Sequence, residues 1–168
     1  MKMAGFYDES ISNGLGWRAV LFVSGCPHGC PGCHNKEAQD FSYGEEFHKE
    51  EILERIQENS ILKGITISGG EPLCEQNIET VVDFIKEVKK VKPEFNIWCY
   101  SGYTLEELIQ RQDGGITKEA LEQIDVLVDG EFMMDKKKPN LKFRGSENQR
   151  ILDVPRCIKE HKIVEIAV

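Results

Sequence analysis

No run in this chain approaches the ~18–20 consecutive apolar residues that a bilayer crossing needs. The opening segment, MKMAGFYDESISNG, also lacks the apolar stretch of a secretory signal. A basic surplus is missing as well: 29 Asp and Glu against 21 Lys and Arg leave a formal charge of −8. Nucleic acid and anionic membrane both select a basic face, so neither is expected as a partner. Repeats, low-complexity tracts and long linkers are absent, which predicts one domain over residues 1–168. That length is too short for a complete (β/α)₈ barrel of ~250 residues. A cytoplasmic location follows as the expectation. There, the six cysteines are reduced thiols, metal ligands or catalytic groups rather than disulfides.

Apolar and helix-like segments alternate along the whole chain. Trp17–Val23 reads as a buried strand, as do Ile65–Ile67, Asn96–Tyr100 and Val126–Val128. Ile78, Val81, Val82, Ile85 and Val88 follow helical spacing, predicting a helix from about Gln76 to Lys90. The charged stretch Glu45–Asn59 places Ile52, Leu53 and Ile56 on one helical face. Thr104 with Glu107 suits a capping box opening a short helix, and Leu121 with Ile124 marks another. Arg150–Val154 and Ile163–Val168 are expected as strands, with a turn of helix after Pro155. Apolar strands alternating with helices predict a mostly parallel sheet with helices outside, a partial (β/α) TIM-like barrel. Such sheets bind ligands in the loops after the carboxyl ends of their strands. Ser24–His34, Ser68–Pro72, Ser101–Tyr103 and Asp129–Gly130 hold those positions and are expected to converge on one rim.

Chemistry concentrates in the first of these loops. Cys26, Cys30 and Cys33 fall within eight residues, interleaved with Pro27, Gly29, Pro31 and Gly32 that let the chain wrap back on itself. Three convergent thiolates suit an iron–sulfur cluster or zinc. Zinc would call for a fourth ligand, which His28 or His34 could supply; a [4Fe–4S] cluster on three cysteines would leave one iron open. Cys74, Cys99 and Cys157 read instead as packing residues.

The Cys26-x₃-Cys30-x₂-Cys33 spacing after a first strand resembles the signature of the radical S-adenosylmethionine (SAM) superfamily. Gly69-Gly70-Glu71-Pro72 is similar to its GGE loop. Five further segments narrow the resemblance: LFVSGC (21–26), CPGCHN (30–35), YSGY (100–103), VDG (128–130) and FRGSxNQR (143–150). Together they resemble the activating proteins of anaerobic ribonucleoside-triphosphate reductases, over about Asn13 to Ile151. One departure is Gly32, where the superfamily often has an aromatic residue; His34 is then the candidate to lie against adenine.

The resemblance implies an enzyme that reductively cleaves SAM at a [4Fe–4S] cluster and generates a glycyl radical on the reductase. Cys26, Cys30 and Cys33 would be the cluster ligands. Gly69 and Gly70 would offer backbone contacts to the methionine end of SAM, with Glu71 nearby. Gly32, Cys33 and His34 would border the cofactor from the cysteine loop, and Ser101 and Asp129 would hold its carboxylate or ribose. The implied partners are the large subunit of the reductase and an electron donor such as flavodoxin. Basic residues outnumber acids between Lys136 and Lys162, so Lys136, Lys137, Lys138, Arg144 and Arg150 are candidates for a docking face. Two readings compete: a radical SAM activase of another glycyl-radical enzyme, and a non-catalytic zinc or iron–sulfur module.

Overall fold

The apolar runs become strands covered on both faces. In the computed structural model, which describes residues 1–168, these are β2 (Arg18–Val23), β4 (Gly64–Gly69), β5 (Asn96–Ser101) and β6 (Val126–Asp129). They run parallel and in register, so that Leu21, Ile67, Cys99 and Leu127 form one row across the sheet. The row continues to Leu152 of β7 (Arg150–Asp153), which pairs antiparallel with β6. On the other flank β1 (Lys2–Ser10) runs antiparallel to β2 and to the two-residue β3 (Glu45–Glu46). The strand order is β3-β1-β2-β4-β5-β6-β7. The expected mostly parallel sheet is therefore parallel at its centre and antiparallel at both flanks. Its end strands β3 and β7 do not pair, so the sheet is open and no barrel closes.

Helices cover one face. The apolar stripe of α2 (Ile78–Val91) buries Val81, Phe84, Ile85 and Val88. These join Ile52 and Ile56 of α1 (Lys49–Glu58), Leu105 and Leu108 of α3 (Leu105–Ile109), Leu121 of α4 (Ile116–Gln123) and Cys157 of α5 (Val154–Glu160) in the main core. The expected cap of α3 forms: Thr104 Oγ1 accepts from the Glu107 amide at 3.2 Å. On the opposite face Trp98, Val126, Val128 and Ile151 make a smaller cluster, packed against Tyr100, Phe143 and Ile166.

Two elements differ from the sequence reading. β1 was not expected, because KMAGFYDES has no apolar alternation; its pairing with β2 creates the strand, with register irregularities on the way. Ile163–Val168 forms only an isolated bridge, Leu152 to Glu165, beside β7. The Ile166 amide donates to the Ile151 carbonyl at 2.8 Å, so the tail shields that edge without becoming a strand. No helix is long and apolar enough to cross a membrane.

Candidate cofactor-binding cavity

The loops after β2, β4, β5 and β6 meet around a cavity of about 560 Å³. All three cysteines of the first loop line it, each half-buried. So do His34, Gly69, Gly70, Glu71 and Ser101, whereas Gly32 and Asp129 do not. Gly32 packs against the thioether of Met134. The three sulfurs are not by themselves drawn into a metal-ligating group. Cys74, Cys99 and Cys157 are buried outside the cavity, in keeping with packing roles.

Burial pushes the Cys26 thiol up to about 11 and raises that of Cys30. The carboxylates of Glu71, beside Cys26, and Glu131, beside Cys30, oppose ionisation further. A bound cation is what would hold them as thiolates. The donor set therefore fits an iron–sulfur or zinc centre. A fourth protein ligand is less well provided. Both ring nitrogens of His28 face carboxylates, Glu71 at 2.7 Å and Glu131 at 3.1 Å, and His34 packs edge-on to Phe132. The hydrogen bond to Glu71 also raises the imidazole above its ordinary range.

Glu71 organises the rim. Its carboxylate is fully buried and accepts from the Leu73 amide (2.9 Å), Ser101 Oγ (2.8 Å) and the Gly102 amide (2.7 Å), besides its contact with His28. Charge-assisted bonds of this kind make up for the loss of hydration. The carboxylate is thus engaged by the protein's own loops. The two preceding glycines have a similar internal reason. Gly69 sits at φ +100° with its missing side chain toward the Val23 backbone. At Gly70 a Cβ would run into the carbonyls of Gly25 and Ala38, so the GGE loop packs directly on the base of the thiol loop.

Asp129 serves the wall behind the cavity. It accepts from the Leu105 amide at 2.8 Å, capping α3, and pairs with Arg150 Nη2 at 2.6 Å; Arg150 also binds Glu106. Arg150 is therefore spent inside the protein. The neighbouring FRGSxNQR segment folds against the loop after β6: Gln149 Oε1 accepts from the Gly145 and Ser146 amides, and Gln149 Nε2 donates to the Gly130 carbonyl at 2.9 Å. Tyr100 donates to the Phe143 carbonyl at 2.5 Å, tying the segment to the sheet. Arg144 lines the cavity, its Nη1 donating to the Gln149 carbonyl at 2.8 Å.

Sequence reasoning missed Asn77, whose Nδ2 donates to the carbonyls of Ser24 (3.0 Å) and Glu71 (3.1 Å) and so joins two loops. An Asn one residue before a helix reads as an N-cap, yet this one makes no cap bond. From sequence His28 reads only as a possible zinc ligand, its place between Cys26 and Cys30 being the one visible signal.

Known proteins similar to the chain show its family. A family model described as a 4Fe-4S single cluster domain matches residues 12–152. The anaerobic ribonucleoside-triphosphate reductase-activating protein of Haemophilus influenzae is 39% identical over 155 residues, covering 90% of this chain and 97% of that protein. Its counterpart in Escherichia coli K12 is 39% identical over 148 residues (86% and 93%), and that of Enterobacteria phage T4 is 37% identical over 148 residues (86% and 89%). Matched along nearly its whole length, including the thiol loop and the segments that wall its cavity, the chain belongs to the family of anaerobic ribonucleoside-triphosphate reductase-activating proteins, built on a 4Fe-4S single cluster domain.

Proposed function

We propose that this chain, as a single radical SAM domain, cleaves SAM reductively at a [4Fe–4S] cluster and so installs a glycyl radical on an anaerobic ribonucleoside-triphosphate reductase. The observation that carries the reading is the convergence of Cys26, Cys30 and Cys33 with Gly69, Gly70 and Ser101 on one cavity at the carboxyl ends of parallel strands. Cys26, Cys30 and Cys33 would hold the cluster; with His28 engaged by Glu71 and Glu131, one iron would be left for SAM. When bound, the cluster would supply the one electron that splits SAM into methionine and a 5′-deoxyadenosyl radical, which would take a hydrogen atom from a glycine of the reductase.

The chain's own residues bind and orient. Gly69 and Gly70 present backbone to the methionine end of SAM, and Cys33 with His34 border it from the thiol loop. Ser101 offers its hydroxyl from the loop after β5. Glu71 and Asp129 act behind these groups, holding the loops in place with carboxylates already engaged by Ser101, Gly102 and Arg150. A partial barrel, open along one side, would admit a glycine loop from the large subunit of the reductase. The electron donor would be of the flavodoxin type.

Electron paramagnetic resonance on anaerobically reconstituted, dithionite-reduced protein tests the reading. A [4Fe–4S]⁺ signal that changes shape on adding SAM is expected. Alanine at Cys26, Cys30 or Cys33 should abolish it. A signal indifferent to SAM, or no cluster at all, would replace the enzyme with a non-catalytic metal-binding module.

A further inference from the structure

We propose that His28 is a positioning residue, a latch that fixes the thiol loop against the other three loops of the cavity. The inference deepens the proposed function, because those are the loops between which SAM would lie. The imidazole is 8% exposed although it belongs to a surface loop. Its Nε2 lies 2.7 Å from Glu71 Oε1, in the loop after β4. Its Nδ1 lies 3.1 Å from Glu131 Oε1, in the loop after β6. The ring also meets Tyr103, in the loop after β5, edge-on at 4.5 Å between centroids. One side chain thus bridges all three.

Gly102 gives an independent sign that the ring's position is built in. A Cβ at Gly102 would lie 2.5 Å from His28 Cδ2 and 2.6 Å from Nε2, and its φ lies outside the left-handed region. The backbone at 102 is thus outside the region that favours glycine, and the three atoms nearest to a Cβ there all belong to the histidine ring. Glu71 is the shared element. It binds His28 on one side and Ser101 with Gly102 on the other, so the thiol loop and the loop after β5 are set by the same carboxylate. Losing the histidine frees the thiol loop and leaves a fully buried carboxylate short of a donor.

Two measurements test the latch. The first is the rate of Cys26 alkylation by iodoacetamide in the metal-free protein, resolved by peptide mass spectrometry. His28→Leu should raise it about ten-fold or more, the scale of one lost hydrogen bond to a charged group. His28→Gln, which keeps a donor for Glu71, should fall between. Gly102→Ala, which displaces the ring, should raise the rate with His28 present and change nothing in a His28→Ala background. The second measurement is SAM binding to the reconstituted protein. His28→Leu should weaken it by a similar factor and blunt the SAM-induced change in the resonance signal, with rescue in part by glutamine.

An unchanged alkylation rate in His28→Leu, or a Gly102→Ala effect that persists without the histidine, overturns the latch. Should His28→Leu fail to fold, an unchanged alkylation rate in Gly102→Ala, which keeps the histidine but displaces its ring, overturns the latch by itself. Wild-type protein whose cluster ignores SAM would instead overturn the proposed function, while the metal-free alkylation series would still decide the latch.

Discussion

Asn77→Ala should loosen the cavity from beneath. Asn77 is 2% exposed, and its amide donates to the carbonyls of Ser24 at 3.0 Å and Glu71 at 3.1 Å, with a longer contact to Gly25 at 3.4 Å. Gly25 keeps a second donor, the Glu71 amide at 2.7 Å, so it loses little. The Ser24 carbonyl loses its side-chain partner and that of Glu71 keeps only the long contact with the Cys74 amide at 3.5 Å, at about 1–1.5 kcal/mol each. The total is about 2–3 kcal/mol, which for a chain of this size lowers the melting temperature by roughly 4–12 °C. Asn77→Asp should be worse despite its identical shape, because a carboxylate would face carbonyl oxygens. Thermal unfolding of the metal-free protein by circular dichroism, followed by iron content after reconstitution, reads both consequences. A melting temperature within 1 °C of wild type for the alanine variant, or an aspartate variant more stable than the alanine one, would refute this account of the loop junction.

Other substitutions separate scaffold from site. Arg18→Met should cost about 2–4 kcal/mol, since the buried guanidinium serves Thr66 and the carbonyls of Leu15, Ile65 and Asn96; urea unfolding measures it, and a loss under about 1 kcal/mol would contradict it. Gly70→Ala should reduce cluster retention along with SAM binding, because its Cβ would strike the Gly25 carbonyl at the base of the thiol loop; normal iron content with weakened SAM binding alone would show that the glycine serves only the ligand. Cys99→Ala should keep the cluster while losing about 1–2 kcal/mol of stability in the buried row between Ile67 and Leu127. Iron analysis and thermal melting check that pair of outcomes.

How much was legible beforehand depended on the range over which each residue acts. β2, β4, β5, β6 and α2 announce themselves because burial on both faces of a strand, or along one stripe of a helix, leaves a local pattern of apolar residues. The thiol loop was equally legible, since three cysteines, two prolines and two glycines within a few residues have few other uses. β1 was not, because a flanking strand with exposed side chains such as Tyr7 is made by its pairing with β2 rather than by an apolar pattern of its own. The antiparallel flanks were likewise beyond reach: the direction in which a sheet's outer strands pair is set by contacts distant in sequence, and here β7 runs antiparallel and is shielded by the tail.

Residue order alone supplies the kinds of group available: three thiols in one short loop, glycines beside a carboxylate, and strands that end where ligands bind. Tertiary structure decided what each group is free to do. Glu71 and Asp129, both plausible as direct ligand contacts in the linear sequence, are buried with their oxygens already engaged by Ser101, Gly102 and Arg150. Gly70 is small because the thiol loop leans on it. The reason is physical: a buried charge must find donors and a close-packed backbone must find room, and both partners come from segments dozens of residues away.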